Sequence, residues 1–202
     1  GIDITILPHT KNESVHIPVV LTQTGLTDTV YNDFYIGEDC DVTIVAGCGI
    51  HSSSKEPSKH NGVHSFVVGK NCVVRYIERH LGLGEKGEKI LSPTTNITLG
   101  KNSTFEIETT QIGGVTSSNR ITNAEVLENA KLVVKEKVLT DKNQTTNTNF
   151  VVKINVLDKI KNIETAKDNI ASVNFEGNVA NIKIPLYKLL CNQDLTFFKI
   201  HF

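Results

Sequence analysis

The sequence predicts an all-β protein whose strands stack as the coils of a parallel β-helix. Three observations support this prediction: one segment pattern recurs along the chain, its copies lie at near-constant spacing, and each copy contains the same tight corner between apolar residues. The four copies read FYIGEDCDVTIV from Phe34, FVVGKNCVVRYI from Phe66, ITLGKNSTFEIE from Ile97 and AEVLENAKLVVK from Ala124.

The corners set the period of the repeat. They begin at Gly37, Gly69, Gly100 and Leu127, so the successive intervals are 32, 31 and 27 residues. Stacked coils bury each other's apolar faces and therefore repeat one corner at a regular interval. The architecture of a β-sandwich does not require such a repeat. A left-handed helix of the hexapeptide type is disfavoured, because the sequence contains no six-residue period.

Each copy consists of a strand, a corner and a second strand. Val, Ile, Thr, Phe and Tyr dominate the strands, where apolar residues alternate at period two. Gly-Glu-Asp and Gly-Lys-Asn supply the backbone freedom that a tight corner demands. Later in the chain, the apolar residues from Val156 to Ile170 have nearly helical spacing. We expect strands there, with a helix as the alternative.

Length and charge limit the classes of function. A chain of 202 residues with 39% hydrophobic residues can form one domain, which we expect to span residues 1–202 with an atypical C-terminal segment from about residue 176. A net charge of -1 disfavours binding to nucleic acid or to anionic membranes. No apolar run approaches the roughly 20 residues of a membrane span, and Gly1-Ile2-Asp3 does not begin a signal peptide. We therefore expect a cytoplasmic protein.

The cysteines divide into two kinds. They lie at positions 40, 48, 72 and 191 and form no CxxC pair, which favours reduced thiols over disulfides. In the aligned copies, the column directly after the corner contains Cys40, Cys72, Ser103 and Ala130. The residues two and four positions later are apolar, so this column points inward. Cys40 and Cys72 are therefore predicted to be small buried residues.

Cys48 belongs to a different column, which is polar. Eight residues after the corner column, the copies read Cys48, His80, Gln111 and Val138, and six residues after it they read Ala46, Glu78, Thr109 and Glu136. Stacking in register would place Cys48 near His80 and Glu78, with about 4.8 Å between coils. Inward-facing polar groups need hydrogen bonds or a ligand, so a hydrogen-bond ladder and a metal site both remain open.

Residues 47–65, GCGIHSSSKEPSKHNGVHS, add three histidines to Cys48. Iron or zinc would suit such a set of donors. A structural zinc finger is disfavoured, because there is no second CxxC-type half and Asn61-Gly62 would break the helix that such a finger needs. We expect His51 and His60 in a polar loop and His64 at the start of the next strand. The candidate metal ligands are Cys48, His51, His60, His64, Glu78 and His80.

Several of these segments resemble a known family. GCGIH, then GVHSFVVGKNCVVRYIERHLGLG, then FEIETTQIGGV and AKLVVKEKVLTDKNQ are similar to the SufB/SufD family of iron–sulfur cluster assembly proteins. The resemblance covers about residues 30–150. Its most specific features are the Gly47-Cys48 pair, the His-x3-Val segment that starts at His64, and the order of the repeats.

The resemblance implies a right-handed parallel β-helix that acts in the cytoplasm as a scaffold for a transient iron–sulfur cluster. It implies two partners, a SufC-type ABC ATPase and a SufB/SufD-type homologue or a second copy of the chain. Cys48 falls on a cysteine that SufB-type members use in sulfur transfer or cluster assembly, and His64 lies in the adjoining family segment. As a scaffold, the chain is expected not to be an enzyme itself. It has no GxxxxGK[ST] motif, so any ATP hydrolysis is expected to come from a partner.

Two features depart from expected patterns. SufB-type members have a cysteine in a polar C-terminal context, whereas Cys191 lies in NIKIPLYKLLCNQDLTFFKIHF, which does not resemble that segment. The stretch from Gly82 to Gly87 matches the GxGxxG pattern of dinucleotide sites, but the helix that should follow is missing. We therefore predict a loop there.

Functions of other β-helix proteins are the alternatives. Polysaccharide lyases and adhesins share this fold, and Glu38-Asp39-Cys40-Asp41 could bind calcium in such an enzyme. The absence of Trp and the presence of only four Tyr argue against sugar stacking. A third alternative is a structural interaction protein whose edge strands pair with a homologue.

Overall fold

The computed structural model describes residues 1–140, 143–154, 162–165, 172–176, 179–186 and 194–201, with side chains within 1–140 and 143–153. All regular secondary structure in these residues is β-strand. The strands are β1 (Ile2–Ile6), β2 (Lys11–Leu21), β3 (Thr27–Ile36), β4 (Asp41–His51), β5 (Ser58–Val68), β6 (Val73–Leu83), β7 (Lys89–Leu91), β8 (Thr94–Leu99), β9 (Thr104–Ile112), β10 (Ser117–Val126), β11 (Lys131–Thr140), β12 (Thr145–Ile154), β13 (Asn162–Thr165), β14 (Ser172–Glu176), β15 (Val179–Leu186) and β16 (Asp194–His201).

From β1 to β12, successive strands alternate between two sheets, except that β7 and β8 share one sheet. One sheet contains β1, β3, β5, then β7 with β8, then β10 and β12, and the other contains β2, β4, β6, β9 and β11. Every pair among these strands is parallel. Each coil therefore contributes strands to both sheets, and one repeat of the sequence corresponds to one coil. The prediction of a parallel β-helix is confirmed.

The third residue of each corner turns the chain. Four such residues have positive φ angles between 55 and 58°, namely Asp39, Asn71, Asn102 and Asn129. Asp and Asn tolerate this conformation better than other residues that carry a side chain. The glycine two positions earlier serves close stacking instead, since a Cβ on Gly69 would lie 2.8 Å from the backbone nitrogen of Glu38. The corner motif therefore combines a turn residue with a contact between coils.

Inward-facing side chains form the main apolar core between the two sheets. Phe34 and Phe66 lie in adjacent coils and stack with ring centroids 4.6 Å apart and an interplanar angle of 8°. Phe105, from the opposite sheet, packs edge-on against Phe66 with a centroid distance of 5.1 Å. These rings are buried, so the period-two alternation predicted the core face correctly.

The column after the corner is a hydrogen-bond ladder. Cys72 Sγ donates to the carbonyl oxygen of Gly37 at 3.0 Å, and Ser103 Oγ donates to that of Gly69 at 2.8 Å. Cys40 Sγ makes the equivalent bond one coil earlier, to a carbonyl oxygen at 3.2 Å. Thiol and hydroxyl thus occupy equivalent positions, which confirms the structural interpretation of the two cysteines.

The last described strands pair in the opposite direction. β15 pairs antiparallel with β12 and with β14, and β16 pairs antiparallel with β11 and β13. This change lies near residue 176, where the sequence analysis places an atypical segment. Cys191 lies outside the described residues, as does most of the stretch from Val156 to Ile170, of which β13 is described as strand. Within the described part of the chain, no helix is long and apolar enough to span a bilayer.

Candidate functional site

The strand register places Cys48 where the aligned repeats predict it. Pairing of β4, β6, β9 and β11 gives two inward-facing rows, of which the first contains Cys48, His80, Gln111 and Val138, and the second contains Ala46, Glu78, Thr109 and Glu136. Cys48 is the direct cross-strand neighbour of His80. The predicted proximity of Cys48 to His80 and Glu78 is therefore confirmed, and these rows define the polar interior of the β-helix.

Arg120, on β10, reaches the polar interior from the opposite sheet. Its Nη1 donates to Glu78 Oε2 at 3.3 Å, and its Nη2 donates to His80 Nδ1 at 3.1 Å. Nη2 also donates to Gln111 Oε1 at 3.4 Å, and Nε lies 3.3 Å from Glu136 Oε1. The guanidinium is therefore a buried cation between two carboxylates.

Glu78 and Glu136 differ in their electrostatic surroundings. Burial alone would raise the pKa of Glu78, but His80 and Arg120 outweigh burial and hold this pKa below its usual value. Burial raises the pKa of Glu136, although Arg120 and a hydrogen bond from Thr148 Oγ1 at 2.9 Å oppose it. Glu78 is thus the ionised partner of Arg120, and Glu136 is the carboxyl that takes up a proton more readily.

His80 is a neutral ring with its proton on Nε2. Its Nδ1 accepts from Arg120, so the proton must be on Nε2, which lies 3.2 Å from Glu78 Oε1. Burial lowers the pKa of His80, although Glu78 opposes this effect. The hydroxyl of Tyr76 donates to Glu78 Oε1 at 3.1 Å. These contacts make the polar interior one connected network.

Cys48 lies at the border between this network and a small apolar cluster. It is 5% exposed and packs with Leu21, Ile50, Leu91 and Val115, which are separate from the main core. Burial raises the pKa of Cys48 to about 12, and the charge of Glu78 adds to the effect. The resting side chain is therefore a protonated thiol.

His60 and His64 face the interior from β5. His60 Nδ1 lies 2.8 Å from Asp28 Oδ2, a contact with a carboxylate that is common behind metal-bound histidines. His64 Nδ1 lies 3.4 Å from Asn32 Nδ2, and its Nε2 has no hydrogen-bond partner. Burial lowers the pKa of His64, so the ring is neutral at neutral pH.

The expectation that His51 and His60 share a polar loop, with His64 beginning the next strand, is wrong. β4 runs to His51 and β5 begins at Ser58, so His60 is already an inward-facing strand residue. Full-length parallel pairing of β3 with β5 fixes this backbone and outweighs the turn preference of Asn61-Gly62. His51 is exposed at the end of β4, so the structure does not bring it together with the other candidates.

The six candidate ligands do not converge on one point. Among the described side chains, the group whose ligand atoms all lie within 4.8 Å of one another is His9, Glu38 and Asp39, at the surface. Its carboxylates already have partners, because Lys70 lies 3.0 Å from Glu38 and Asn71 donates to Asp39 at 3.0 Å. This is the acidic corner that the calcium alternative would use.

Two charged residues that contact the candidate residues, the buried Arg120 and the half-buried Asp28, were not predicted from the sequence. Arg120 has the same parity along β10 as Ala124, which the aligned repeats place on the inward face. A charged residue at an inward-facing position requires a buried partner, and on this ground the sequence could have identified Arg120. The loop predicted from Gly82 to Gly87 is only partly confirmed, because β6 extends to Leu83. The expected absence of a following helix is confirmed, because β7 begins at Lys89.

Comparison of the chain with protein-family models, with curated proteins and with solved structures gives no match. The resemblance to the SufB/SufD family therefore remains an interpretation of the sequence motifs. The structure itself establishes a parallel β-helix whose interior holds Cys48 beside a buried network of Glu78, His80 and Arg120.

Proposed function

We propose that the protein is a scaffold component of SUF-type iron–sulfur cluster assembly and that Cys48 carries sulfur inside the β-helix. The observation behind this proposal is that Cys48 stands in register with His80, at the edge of a buried polar network, whereas Cys40 and Cys72 belong to the corner ladder. The resemblance of GCGIH and GVHSFVV to SufB/SufD segments points to the same cysteine.

The network disfavours a metal ion between Glu78 and His80. Arg120 already bonds to both residues, which are the groups that would complete an iron or zinc site with Cys48. A guanidinium repels a cation, which disfavours a metal ion at this place. At Cys48, burial raises the pKa most and the charge of Glu78 raises it more than Arg120 lowers it, so the resting sulfur there is neutral. A transient iron–sulfur cluster, or a single iron or zinc ion, would therefore need ligands outside this row or displacement of Arg120.

Sulfur transfer to Cys48 would be a balanced thiol exchange. The Cys48 thiolate attacks the outer sulfur of a donor persulfide, the inner sulfur of the donor leaves as a thiolate, and Cys48 becomes the persulfide. Because burial raises the pKa of Cys48 to about 12, the thiol must lose its proton during a local opening or on contact with the donor. Once formed, the buried persulfide would be protected from solvent oxidants.

The partners and the compartment follow from the same proposal. The chain would not be an enzyme itself but would work with a SufC-type ABC ATPase and with a SufB/SufD-type homologue or a second copy. It would act in the cytoplasm, where thiols stay reduced. Cys40, Cys48 and Cys72 are all free, which is compatible with such a compartment.

Persulfide transfer tests the role of Cys48. After anaerobic incubation with a small-molecule persulfide, mass spectrometry of wild-type peptides should find one added sulfur atom on Cys48. In reconstitution with ferrous iron, this sulfur source and a thiol reductant, which reduces the persulfide sulfur to sulfide, Cys48→Ser should form much less cluster, measured by thiolate-to-iron charge-transfer absorption. Cys40→Ser is the matched control, because Cys40 is also buried but lies in the corner ladder.

Equal cluster formation by the two serine variants would remove Cys48 from the pathway. Co-purification with a SufC-type ATPase tests the partner separately. Absence of a complex between the two full-length proteins would argue against the SUF scaffold role, even if Cys48 accepts sulfur.

A further inference from the structure

Cys40 and Cys72 occupy the same position in two adjacent coils. The strand register pairs Asp41 with Val73, which are the residues that follow them, and the Val73 N–H donates to the carbonyl oxygen of Cys40 at 2.8 Å. Strands paired in this way lie about 4.8 Å apart, and the Cα atoms of a disulfide lie roughly 4.4–6.8 Å apart. The backbone therefore holds the two cysteines at a separation that a disulfide can span.

The Cys72 side chain already points towards the coil of Cys40. Its Sγ lies 3.5 Å from the backbone nitrogen of Cys40 and donates to the carbonyl oxygen of Gly37 at 3.0 Å. Burial raises the pKa of Cys72, the Cys40 N–H opposes this effect, and the Cys40 thiol adds to it. Only the Cys40 side chain must rotate, away from its bond to the Leu7 carbonyl oxygen, to bring the two sulfur atoms together.

The two thiols lie directly beneath a surface corner. Both cysteines are at most 1% exposed. Two residues before each of them, however, the side chains of Glu38 and Lys70 are 44% and 58% exposed. An outward movement of the corners, with both sheets still paired, would therefore admit a small molecule to the thiols.

We propose that Cys40 and Cys72 form a redox-modification site, at which hydrogen peroxide joins two coils through a disulfide. The thiolate of one cysteine attacks the peroxide, becomes a sulfenic acid and releases hydroxide, which takes up the proton of that thiol. The second thiol attacks the sulfenic sulfur, forms the S–S bond and releases water. Together the two steps oxidise two thiols to one disulfide and reduce one peroxide to two waters.

The disulfide would close a loop of the chain that contains Cys48. β4, which carries Cys48, and β5 both lie between the two bridged positions. A covalent bond between the corners before β4 and β6 would restrain the local opening in which the Cys48 thiol loses its proton. This consequence for sulfur uptake rests on the proposed function, whereas the bridge itself does not.

Peptide mapping of the full chain tests the bridge. After treatment with hydrogen peroxide, the remaining thiols are alkylated and the chain is digested with trypsin without a reductant. Peptide 71–75, which contains Cys72, should be recovered joined to peptide 12–55, which contains Cys40 and Cys48. This joined peptide should be lost in Cys40→Ser and should persist in Cys48→Ser.

Ser103 offers a matched rescue experiment. It holds the same position one coil further along, where its Oγ accepts from the Cys72 N–H at 2.9 Å. Adding Ser103→Cys to Cys40→Ser should therefore restore a link, now between peptides 71–75 and 102–120. Serine in place of cysteine keeps a ladder donor, and circular dichroism checks that each variant is folded.

Hydrogen exchange followed by mass spectrometry measures the restraint on β4. With the peroxide removed, β4 amides of the oxidised wild type should exchange about tenfold or more slowly than those of the reduced wild type. Persulfide uptake at Cys48 should slow in parallel. Cys72→Ser is the control, because peroxide should change neither rate when the bridge cannot form.

Two results would overturn the inference: no joined peptide from the oxidised wild type, or as much of it from Cys40→Ser as from the wild type. A bridge that leaves β4 exchange unchanged would overturn the restraint. The outcome is separable from the proposed function. If Cys48 takes up no sulfur in either redox state but the bridge forms, the proposed function fails and the site stands. If Cys48 takes up sulfur and no bridge forms, only this inference fails.

Discussion

Arg120 is a buried cation in the polar interior of the β-helix. Its guanidinium contacts Glu78, Glu136 and His80, and all four residues are at most 2% exposed. Replacing Arg120 by Met would leave two buried carboxyls without their cation. We expect the free energy of unfolding, measured by urea denaturation, to fall by about 3–5 kcal/mol.

Arg75 provides the matched comparison for this prediction. It forms an ion pair with Asp41 at 2.6 Å, but its side chain is 47% exposed. Arg75→Met should lower the free energy of unfolding by less than about 1 kcal/mol, because exposed pairs contribute little. Adding Glu78→Gln to Arg120→Met should recover part of the loss. Similar losses for both single arginine variants would mean that the buried network contributes little to stability.

The corner is the element that the repeat reproduces in each coil. Cys72 accepts from the Cys40 N–H at 3.5 Å and donates to Gly37 at 3.0 Å, and Ser103 makes the same donation one coil later. Cys72→Ser should therefore leave the free energy of unfolding nearly unchanged. Cys72→Val fills a similar volume without a donor, and should cost about 1–3 kcal/mol in urea denaturation. If serine destabilises as much as valine, packing rather than the ladder determines this column.

The whole molecule should be most stable near neutral pH. Burial lowers the pKa of both His64 and His80, so below the ordinary histidine value of 6.5 the unfolded chain takes up protons first and stability falls. Burial raises the pKa of Cys48 to about 12, so above the ordinary thiol value of 9.0 the unfolded chain loses its proton first and stability falls again. Urea denaturation across this range measures both limbs.

Single variants assign the two limbs of this profile. His80→Gln should make the acid limb shallower, because it removes a group whose pKa is lowered in the folded protein. Cys48→Ser should flatten the alkaline limb. At lower pH, stability that depends on ionised Glu78 is lost below the ordinary carboxyl value of 4.5, because the pKa of Glu78 is lowered in the folded protein. If the free energy of unfolding did not change below pH 6.5 or above pH 9.0, these assignments would be wrong.

Prediction from sequence succeeded where one coil repeats the next. The spacing of the corners predicted the β-helix. The same alignment predicted that Cys48 and His80 are neighbours, because residues at the same position of the repeat lie side by side in adjacent parallel coils. It failed where the repeat is locally broken. Asn61-Gly62 breaks helices and lies in a polar stretch that suggested a loop, yet β3 pairs with residues 59–68 of β5 and keeps His60 in a strand.

The sequence by itself determined the architecture, the inward parity of the strands that follow the corners and the rows that contain Cys40, Cys48 and Glu78. These properties depend on periods along the chain, which a single sequence contains. Only the tertiary structure decided that Arg120 bridges the sheets and that His60 and His64 both face the interior, beside Asp28 and Asn32 of the neighbouring coil. Such contacts depend on the distance between two sheets and on partners one coil away, and spacing along the chain encodes neither.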